Sequence, residues 1–71
     1  MEYLLVRSPE KRRVIINDID TGQHTGEVIE MEGGHHDIRL SGPDDFMPET
    51  QSIILQDTTE LEPMEVRFAK K

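Results

Sequence analysis

Short runs of β-forming residues, separated by clusters of turn residues, dominate the hydrophobic pattern of this chain. The clearest runs occupy residues 14–17, 27–31 and 36–40, and Asn17-Asp18, Gly22 and Gly33-Gly34 separate them. Runs of this length bounded by Gly, Asn and Asp are typical of antiparallel hairpins. The pattern therefore predicts a small all-β module.

The sequence contains six predicted strands, at residues 3–8, 12–17, 27–31, 35–40, 50–56 and 64–68. Alternation with a period of two is clearest in the fourth and sixth of them. In the fourth strand, one face carries His36, Ile38 and Leu40. In the sixth strand, one face carries Met64, Val66 and Phe68. Alternate residues of a strand point to opposite faces, so each set is predicted to face the core.

Two of the strands are apolar on both faces. They contain Val14-Ile15-Ile16 and Ile53-Ile54-Leu55, and both are predicted to lie centrally in a sheet. Residues 41–50 are dense in Gly, Pro and Asp and are predicted to form a loop, as is the connection 57–63. Residues 69–71 are interpreted as a terminal linker.

The spacing of the turns predicts the architecture. Turn signals recur at about 8–12-residue spacing, which is typical of a sandwich or barrel. Six strands leave no room for crossover helices, so the sheets must be mostly antiparallel. We therefore predict a single domain over residues 1–71, folded as a small, mostly antiparallel β-sandwich of about six strands.

Composition limits the core of such a domain. Only 34% of the 71 residues are hydrophobic, and the aromatic residues are Tyr3, Phe46 and Phe68. A domain of this size buries only about 60% of its unfolded surface. Its stability should be modest, which favours self-association or docking against a neighbouring protein.

Charge and cysteine content exclude several classes of function. The formal net charge of −7 predicts no nucleic-acid partner and argues against binding to a membrane surface. The one basic cluster, Lys11-Arg12-Arg13, is interpreted as a solvated turn or edge strand. The chain has no cysteine, which excludes disulfides, thiolate catalysis and cysteine-ligated metal centres.

The sequence carries no pattern of a signal peptide and no apolar run near the roughly 20 residues that a membrane span needs. No membrane insertion is predicted. The expected location is cytoplasmic if the chain is complete, and cell-surface or periplasmic if it is an excised domain.

The order of the turn signals resembles the PEGA domain, a small bacterial and archaeal β-sandwich named for a Pro-Glu-Gly-Ala motif. The resemblance covers residues from about 6 to 68. It rests on Ser8-Pro9-Glu10 at the start of the name motif, Asn17-Asp18 at an Asp-Gly turn, Gly22, Gly34-His35, and Phe46-Met47-Pro48 at a Gly-Tyr-x-Pro loop. Lys11-Arg12 replaces the Gly-Ala half of the name motif, and Asp18 replaces a turn glycine. The resemblance implies a binding or spacer module of cell-surface and signalling proteins.

Three histidines are the available imidazole ligands for a metal. His35 and His36 are neighbours in a strand and point to opposite faces, so they do not easily share one ion. The loop of residues 17–22 fails the spacing of an EF-hand, because Gly22 falls at position 5 and Ile29 at position 12 when counted from Asp18. A weak metal site at Asp18, Asp20 and His24 remains an alternative, and no metal or other cofactor is predicted.

Catalysis is not predicted. Ser8, Ser41 and Ser52 can be combined on paper with the 15 carboxylates, but so many combinations carry no information. A sandwich of 71 residues also has little depth for a pocket that excludes water. We therefore predict that the protein is not an enzyme.

The loop Asp44-Asp45-Phe46-Met47-Pro48 is the candidate partner contact, through Asp44, Asp45, Phe46 and Met47. Phe46 is interpreted either as an exposed anchor or, as the resemblance implies, as a ring packed across the sandwich edge. The predicted function is a non-catalytic interaction module that binds another protein or itself by edge-strand addition. The alternatives are a carbohydrate or cell-wall binding module and the weak metal-binding domain.

Overall fold

Two β-sheets pack face to face in the computed structural model, which describes residues 1–43 and 45–71. No helix is present in these residues, and the strands are β1 (Glu2–Arg7), β2 (Arg13–Ile16), β3 (Ile19–His24), β4 (Val28–Met31), β5 (Gly34–Leu40), β6 (Phe46–Met47), β7 (Gln51–Leu55), β8 (Met64–Arg67) and β9 (Ala69–Lys70). The described residues therefore form nine strands where six were predicted.

The strands form a three-stranded sheet in the order β4-β1-β8, a four-stranded sheet in the order β3-β2-β5-β7, and a ribbon of β6 and β9. The β1–β8 pair is parallel, and every other described pair is antiparallel. The predicted fold class, a small and mostly antiparallel all-β sandwich, is confirmed.

The core lies between the two sheets. It unites buried side chains from both sheets and from the ribbon, namely Leu4, Val6, Val14, Ile16, Ile29, Ile38, Leu40, Phe46, Ile53, Leu55, Val66 and Phe68. The predicted inward faces are confirmed for Ile38, Leu40, Val66 and Phe68, which are buried in this core. The other two members of these sets, His36 and Met64, are half-buried. Strand β2 lies between β3 and β5, which confirms its predicted central position.

The prediction for the segment that follows β2 was wrong. A connection was expected between Asn17 and Glu27, but β3 occupies Ile19–His24 and pairs with β2. Asn17 and Asp18 have positive φ angles of 50° and 66°, as the two central residues of a type I′ hairpin turn require. The turn therefore needs only two residues, and the chain returns at once as a strand.

The prediction of a hairpin at Gly33-Gly34 was also wrong. Strand β4 belongs to the three-stranded sheet and β5 to the four-stranded sheet, so the glycines carry the chain between sheets. A Cβ atom on Gly33 would lie 3.0 Å from the Leu55 carbonyl oxygen and 3.1 Å from Glu2 Cγ. The crossing therefore depends on a residue without a side chain.

Two further predictions about strands were wrong. Strand β7 was expected to be central, but it lies at the end of its sheet, and Ile54 on its outer face is 62% exposed. Residues 41–50 and 69–71 were expected to be a loop and a linker, yet they contain β6 and β9, which pair with each other. Strands of two residues are too short to show a period of two.

Candidate functional site

The cationic residues of this acidic chain are concentrated in two segments. Seven of the 8 lysines and arginines lie in residues 7–13 and 67–71, and they are Arg7, Lys11, Arg12, Arg13, Arg67, Lys70 and Lys71. Glu10 is the one acidic residue of these segments, so the other 14 of the 15 carboxylates lie elsewhere. The two segments are thus strongly basic within a chain of net charge −7.

Parallel pairing of β1 and β8 brings these segments together. Arg7 lies opposite Arg67 in the register, and the Phe68 amide donates to the Arg7 carbonyl over 2.9 Å. Because the two strands run in the same direction, the basic segments that follow them leave the sheet at the same end of the molecule. We call this the cationic end.

A groove of about 500 Å³ opens at the cationic end. Its lining includes Arg7, Pro9, Met47, Arg67, Phe68 and Ala69, and we call it the Met47 groove. The Met47 side chain is 56% exposed, whereas Phe68 is buried. The groove therefore offers apolar surface together with two guanidinium groups.

The two arginines of the Met47 groove share one carboxylate. Glu65 Oε1 lies 3.1 Å from Arg7 Nε and 2.7 Å from Arg67 Nη2. Arg7 and Ser8 also line an adjoining cavity of about 230 Å³ with Lys11. Lys11 makes no ion pair with any residue that the structure describes, so the site carries more positive than negative charge.

A cluster of four charged residues holds the ribbon beside the groove. Lys70 Nζ lies 2.7 Å from Glu10 Oε2 and 2.6 Å from Asp45 Oδ2. Arg12 Nη2 lies 2.9 Å and 3.3 Å from the same two oxygens. We call Glu10, Arg12, Asp45 and Lys70 the charge cluster. It joins two residues before β2 to Lys70 in β9 and to Asp45, which directly precedes β6.

Phe46 lies directly beneath the charge cluster. The Arg12 Cζ atom is 5.1 Å and Lys70 Nζ is 5.2 Å from the centre of its ring. A cation at this distance from an aromatic ring is attracted by its quadrupole. The buried Phe46 ring thus anchors β6 to the core, and the ion pairs of the charge cluster hold it on the solvent side. The next residue, Met47, is therefore positioned at the groove.

The electrostatics of the charge cluster favour its ionised state. The hydrogen bond from Lys70 lowers the pKa of Asp45 and also that of Glu10, and bonds to these carboxylates raise the pKa of Lys70. Both cations contact Asp45 through Oδ2, while Oδ1 is buried and lacks a hydrogen-bond partner in the described part of the chain. The cluster is therefore fully charged around neutral pH.

The four predicted contact residues divide between different environments. Asp44 lies outside the described residues. Asp45 belongs to the charge cluster, and Phe46 is buried at 4% exposure, so its ring packs in the core and does not form an exposed anchor. Met47 presents its side chain to the groove. A role for these residues in partner contact stays a prediction.

Sequence reasoning missed Arg7 and Arg67. The net charge of the whole chain hides the contrast, because the basic segments lie near its two ends. A count over short windows shows both segments, although their meeting depends on the β1–β8 pairing.

The candidate metal ligands have other partners. Asp18 Oδ1 lies 3.5 Å from Arg39 Nε, and Asp20 Oδ2 lies 3.0 Å from Arg13 Nε. His24 Nδ1 lies 3.8 Å from Glu27 Oε1. Among residues 1–43 and 45–71, no three histidine, aspartate or glutamate side chains are grouped as metal ligands. The predicted alternative at Asp18, Asp20 and His24 gains no support.

The other two histidines lie on opposite faces of β5, as expected. His36 Nδ1 lies 3.0 Å from Nδ2 of the Asn17 side chain, and its Nε2 lies 2.9 Å from the Glu32 carbonyl oxygen. The exposed His35 has Asp37 as its neighbour, with 3.8 Å between Nε2 and Oδ1. Both rings are accounted for by contacts within the sandwich.

In comparisons with known proteins, no family model, curated protein or solved structure matches the chain. The resemblance to the PEGA domain therefore stays a prediction. Across residues 1–43 and 45–71 there is no helix of the length and apolarity needed to cross a membrane.

Proposed function

We propose that this chain is a non-catalytic protein-interaction module that binds a short acidic and apolar segment in the Met47 groove. The observation that carries the proposal is the combination of an exposed methionine with two arginines that share one carboxylate. This combination lies in a chain whose net charge is −7.

The chemistry of the groove selects the partner. A guanidinium group binds a carboxylate with two parallel hydrogen bonds. Among the residues that the structure describes, Arg7 and Arg67 pair with a single carboxylate, that of Glu65. Methionine is flexible and polarizable, which suits contact with varied apolar side chains. A segment that places a carboxylate next to an apolar side chain satisfies both features.

Edge-strand addition has less support as the mechanism. The Gln51 side-chain amide of β7 donates to the Arg67 carbonyl of β8, and the Gln23 side-chain amide of β3 donates to the Val28 carbonyl of β4 over 3.5 Å. Each bond joins the end strand of one sheet to an end strand of the other. Both sides of the sandwich thus have part of their open edge occupied.

A glycan-binding function has less support as well. Sugar-binding faces use exposed aromatic rings, and the Phe46 and Phe68 rings are both buried. Tyr3 is half-buried, and the nearby Glu30 carboxylate together with burial raises the pKa of its hydroxyl.

Catalysis by the one serine of the Met47 groove also has little support. The Ser8 hydroxyl donates to the Glu10 carbonyl, which favours a structural role over a nucleophilic one.

A peptide-display selection on the immobilised chain tests the proposal. We expect enriched peptides to place Asp or Glu beside Leu, Ile, Met or Phe. Binding of a selected peptide should fall at least tenfold in Arg67→Glu and in Met47→Ser. Arg39→Glu is the matched control, because Arg39 lies in β5 outside the groove and should bind as the parent does. Enrichment of unrelated peptides, or undiminished binding by Arg67→Glu, would overturn the proposal.

A further inference from the structure

The connection from β7 to β8 presents an apolar side chain between two carboxylates. Leu61 is 93% exposed, and Glu60 and Glu62 flank it. We call Glu60-Leu61-Glu62 the acidic tip. Exposure of a leucine to this extent leaves nearly its whole surface available for contact with another molecule.

Hydrogen bonds hold the acidic tip in one conformation. The Thr59 amide donates to the Glu62 carbonyl over 3.2 Å, and the Glu62 amide donates to the Thr59 carbonyl over 3.1 Å. The preceding Thr58 donates from its amide and its hydroxyl to Glu2 Oε1, each over 2.9 Å. A turn closed and anchored in this way loses little conformational freedom on binding.

The carboxylates of the acidic tip have no cationic partner among the described residues. Glu60 and Glu62 make no side-chain ion pair or hydrogen bond with the residues that the structure describes. Ile19 is also exposed, at 69%, and also lies between two acidic residues, Asp18 and Asp20. Those two carboxylates, however, already pair with Arg39 and Arg13. The acidic tip is therefore the better match to a groove lined by arginines.

The tip and the groove lie at opposite ends of one molecule. The tip leads into the start of β8, where Met64 lies opposite Leu4, whereas Arg67 at the end of β8 lies opposite Arg7. The bonds between Thr58 and Glu2 place the connection at the start of β1 as well. A copy of the chain cannot fill its own groove with its own tip.

We infer that the acidic tip of one copy docks in the Met47 groove of the next, so that copies associate head to tail. Leu61 meets the exposed Met47, and the two glutamates pair with Arg7 and Arg67. This inference rests on the proposed function, because it names the segment that the same groove binds. Such an interface is heterologous, so it builds a ring when the rotation closes and an open chain when it does not.

The association is expected to be weak and sensitive to salt. The tip offers one leucine and two carboxylates, which is a small contact compared with interfaces of stable complexes. Attraction between exposed charges is screened by salt, with a Debye length of about 8 Å at physiological ionic strength that shortens as salt is added. The average mass in sedimentation should therefore rise with protein concentration and fall when sodium chloride is added.

Sedimentation of variants tests the inference. Leu61→Ser and Arg67→Glu should each stay monomeric over the concentrations at which the parent associates, with unchanged far-ultraviolet circular dichroism. Ile19→Ser is the matched control for removing an exposed apolar residue flanked by acids, and it should associate as the parent does. Loss of association in Ile19→Ser but not in Leu61→Ser would overturn the assignment of the tip.

A mixture of the two deficient variants gives the sharper test. Leu61→Ser keeps its groove and Arg67→Glu keeps its tip, so the mixture should form a dimer with one copy of each that cannot grow further. A mixture that stays monomeric, or parent chains that stay monomeric at millimolar concentration, would overturn the head-to-tail inference. The proposed function is judged separately, since the peptide selection reports whether the groove binds any acidic and apolar segment.

Discussion

The Lys70 ammonium lies 2.6 Å from Asp45 Oδ2, across the ribbon formed by β6 and β9. This contact joins residues 25 positions apart and closes the ribbon above the Phe46 ring. The hydrogen bond from Lys70 is the main reason that the pKa of Asp45 falls below its ordinary value of 3.8. The Lys70–Asp45 contact therefore links ribbon stability to pH.

A carboxylate with a lowered pKa stabilises the fold above its unfolded pKa and loses that effect as the pH falls through its folded pKa. Asp45→Asn should therefore melt at a lower temperature than the parent at about pH 7, and the difference should be smaller at about pH 3, which lies below the ordinary pKa of 3.8. Thermal melting followed by circular dichroism at both pH values measures this difference.

Glu32→Gln is the matched control for the pH prediction. The Glu32 carboxylate makes no side-chain hydrogen bond or ion pair with the described residues, so its replacement should leave the melting temperature near that of the parent at both pH values. An equal effect of Asp45→Asn and Glu32→Gln would show that the charge cluster does not stabilise the ribbon.

Gly42 makes room for the Arg12 guanidinium. Its φ of +88° lies in the left-handed region, and a Cβ atom there would collide with Arg12 Nη1. Gly26 has a similar φ of +86° but nothing within 4 Å of a Cβ atom. Gly26→Ala should cost about 1–2 kcal/mol from backbone strain alone. Gly42→Ala should cost about 1 kcal/mol more, because Arg12 must leave Phe46 and the Ser41 carbonyl.

Urea unfolding of the two alanine variants measures the difference, and a second pair isolates its cause. In an Arg12→Ala background the collision is absent, so Gly42→Ala and Gly26→Ala should then cost the same. If the excess cost of Gly42→Ala survives in that background, Arg12 is not its source.

Two neighbouring isoleucines of β7 lie in different environments. Ile53 is 8% exposed and faces the core, whereas Ile54 is 62% exposed on the outer face. Ile53→Thr should cost about 2–4 kcal/mol, because it removes buried apolar surface and buries a hydroxyl group. Ile54→Thr should change the free energy of unfolding by less than about 0.5 kcal/mol, since threonine keeps the branched Cβ that strands favour. Equal costs in urea unfolding would mean that both faces of β7 are covered in solution.

Local pattern was enough to predict the strands that have one buried face. The alternation in β5 and β8 reports directly which side chains face the core, because a period of two follows from the strand backbone itself. The run Ile53-Ile54-Leu55 gave a wrong prediction of a central strand, because apolar residues also occur on exposed faces of a sheet. Strand β3, which was not predicted, begins with Ile-Asp-Thr-Gly, and this stretch includes residues that are depleted in strands.

The Met47 groove could not be predicted from the sequence. Its residues come from β1, β6, β8, β9 and the positions next to them in the chain. They meet through the parallel pairing of β1 with β8 and the pairing of the short strands β6 and β9. Sequence separation between Arg7 and Arg67 is 60 positions, so no local period connects them. Met47 was singled out by its loop composition alone, and its arginine neighbours appear only in the folded chain.

The two residues of the β2–β3 turn should respond differently to glycine. Both have positive φ, but Asn17 also accepts the Asp37 amide over 2.9 Å and contacts His36, whereas Asp18 has one exposed ion pair at 3.5 Å. Asp18→Gly should therefore change stability by less than about 0.5 kcal/mol, while Asn17→Gly should cost about 1–2 kcal/mol in urea unfolding.

Calcium or zinc should leave the melting temperature of the parent unchanged. A rise that Asp18→Gly abolishes would instead establish the metal site at Asp18, Asp20 and His24.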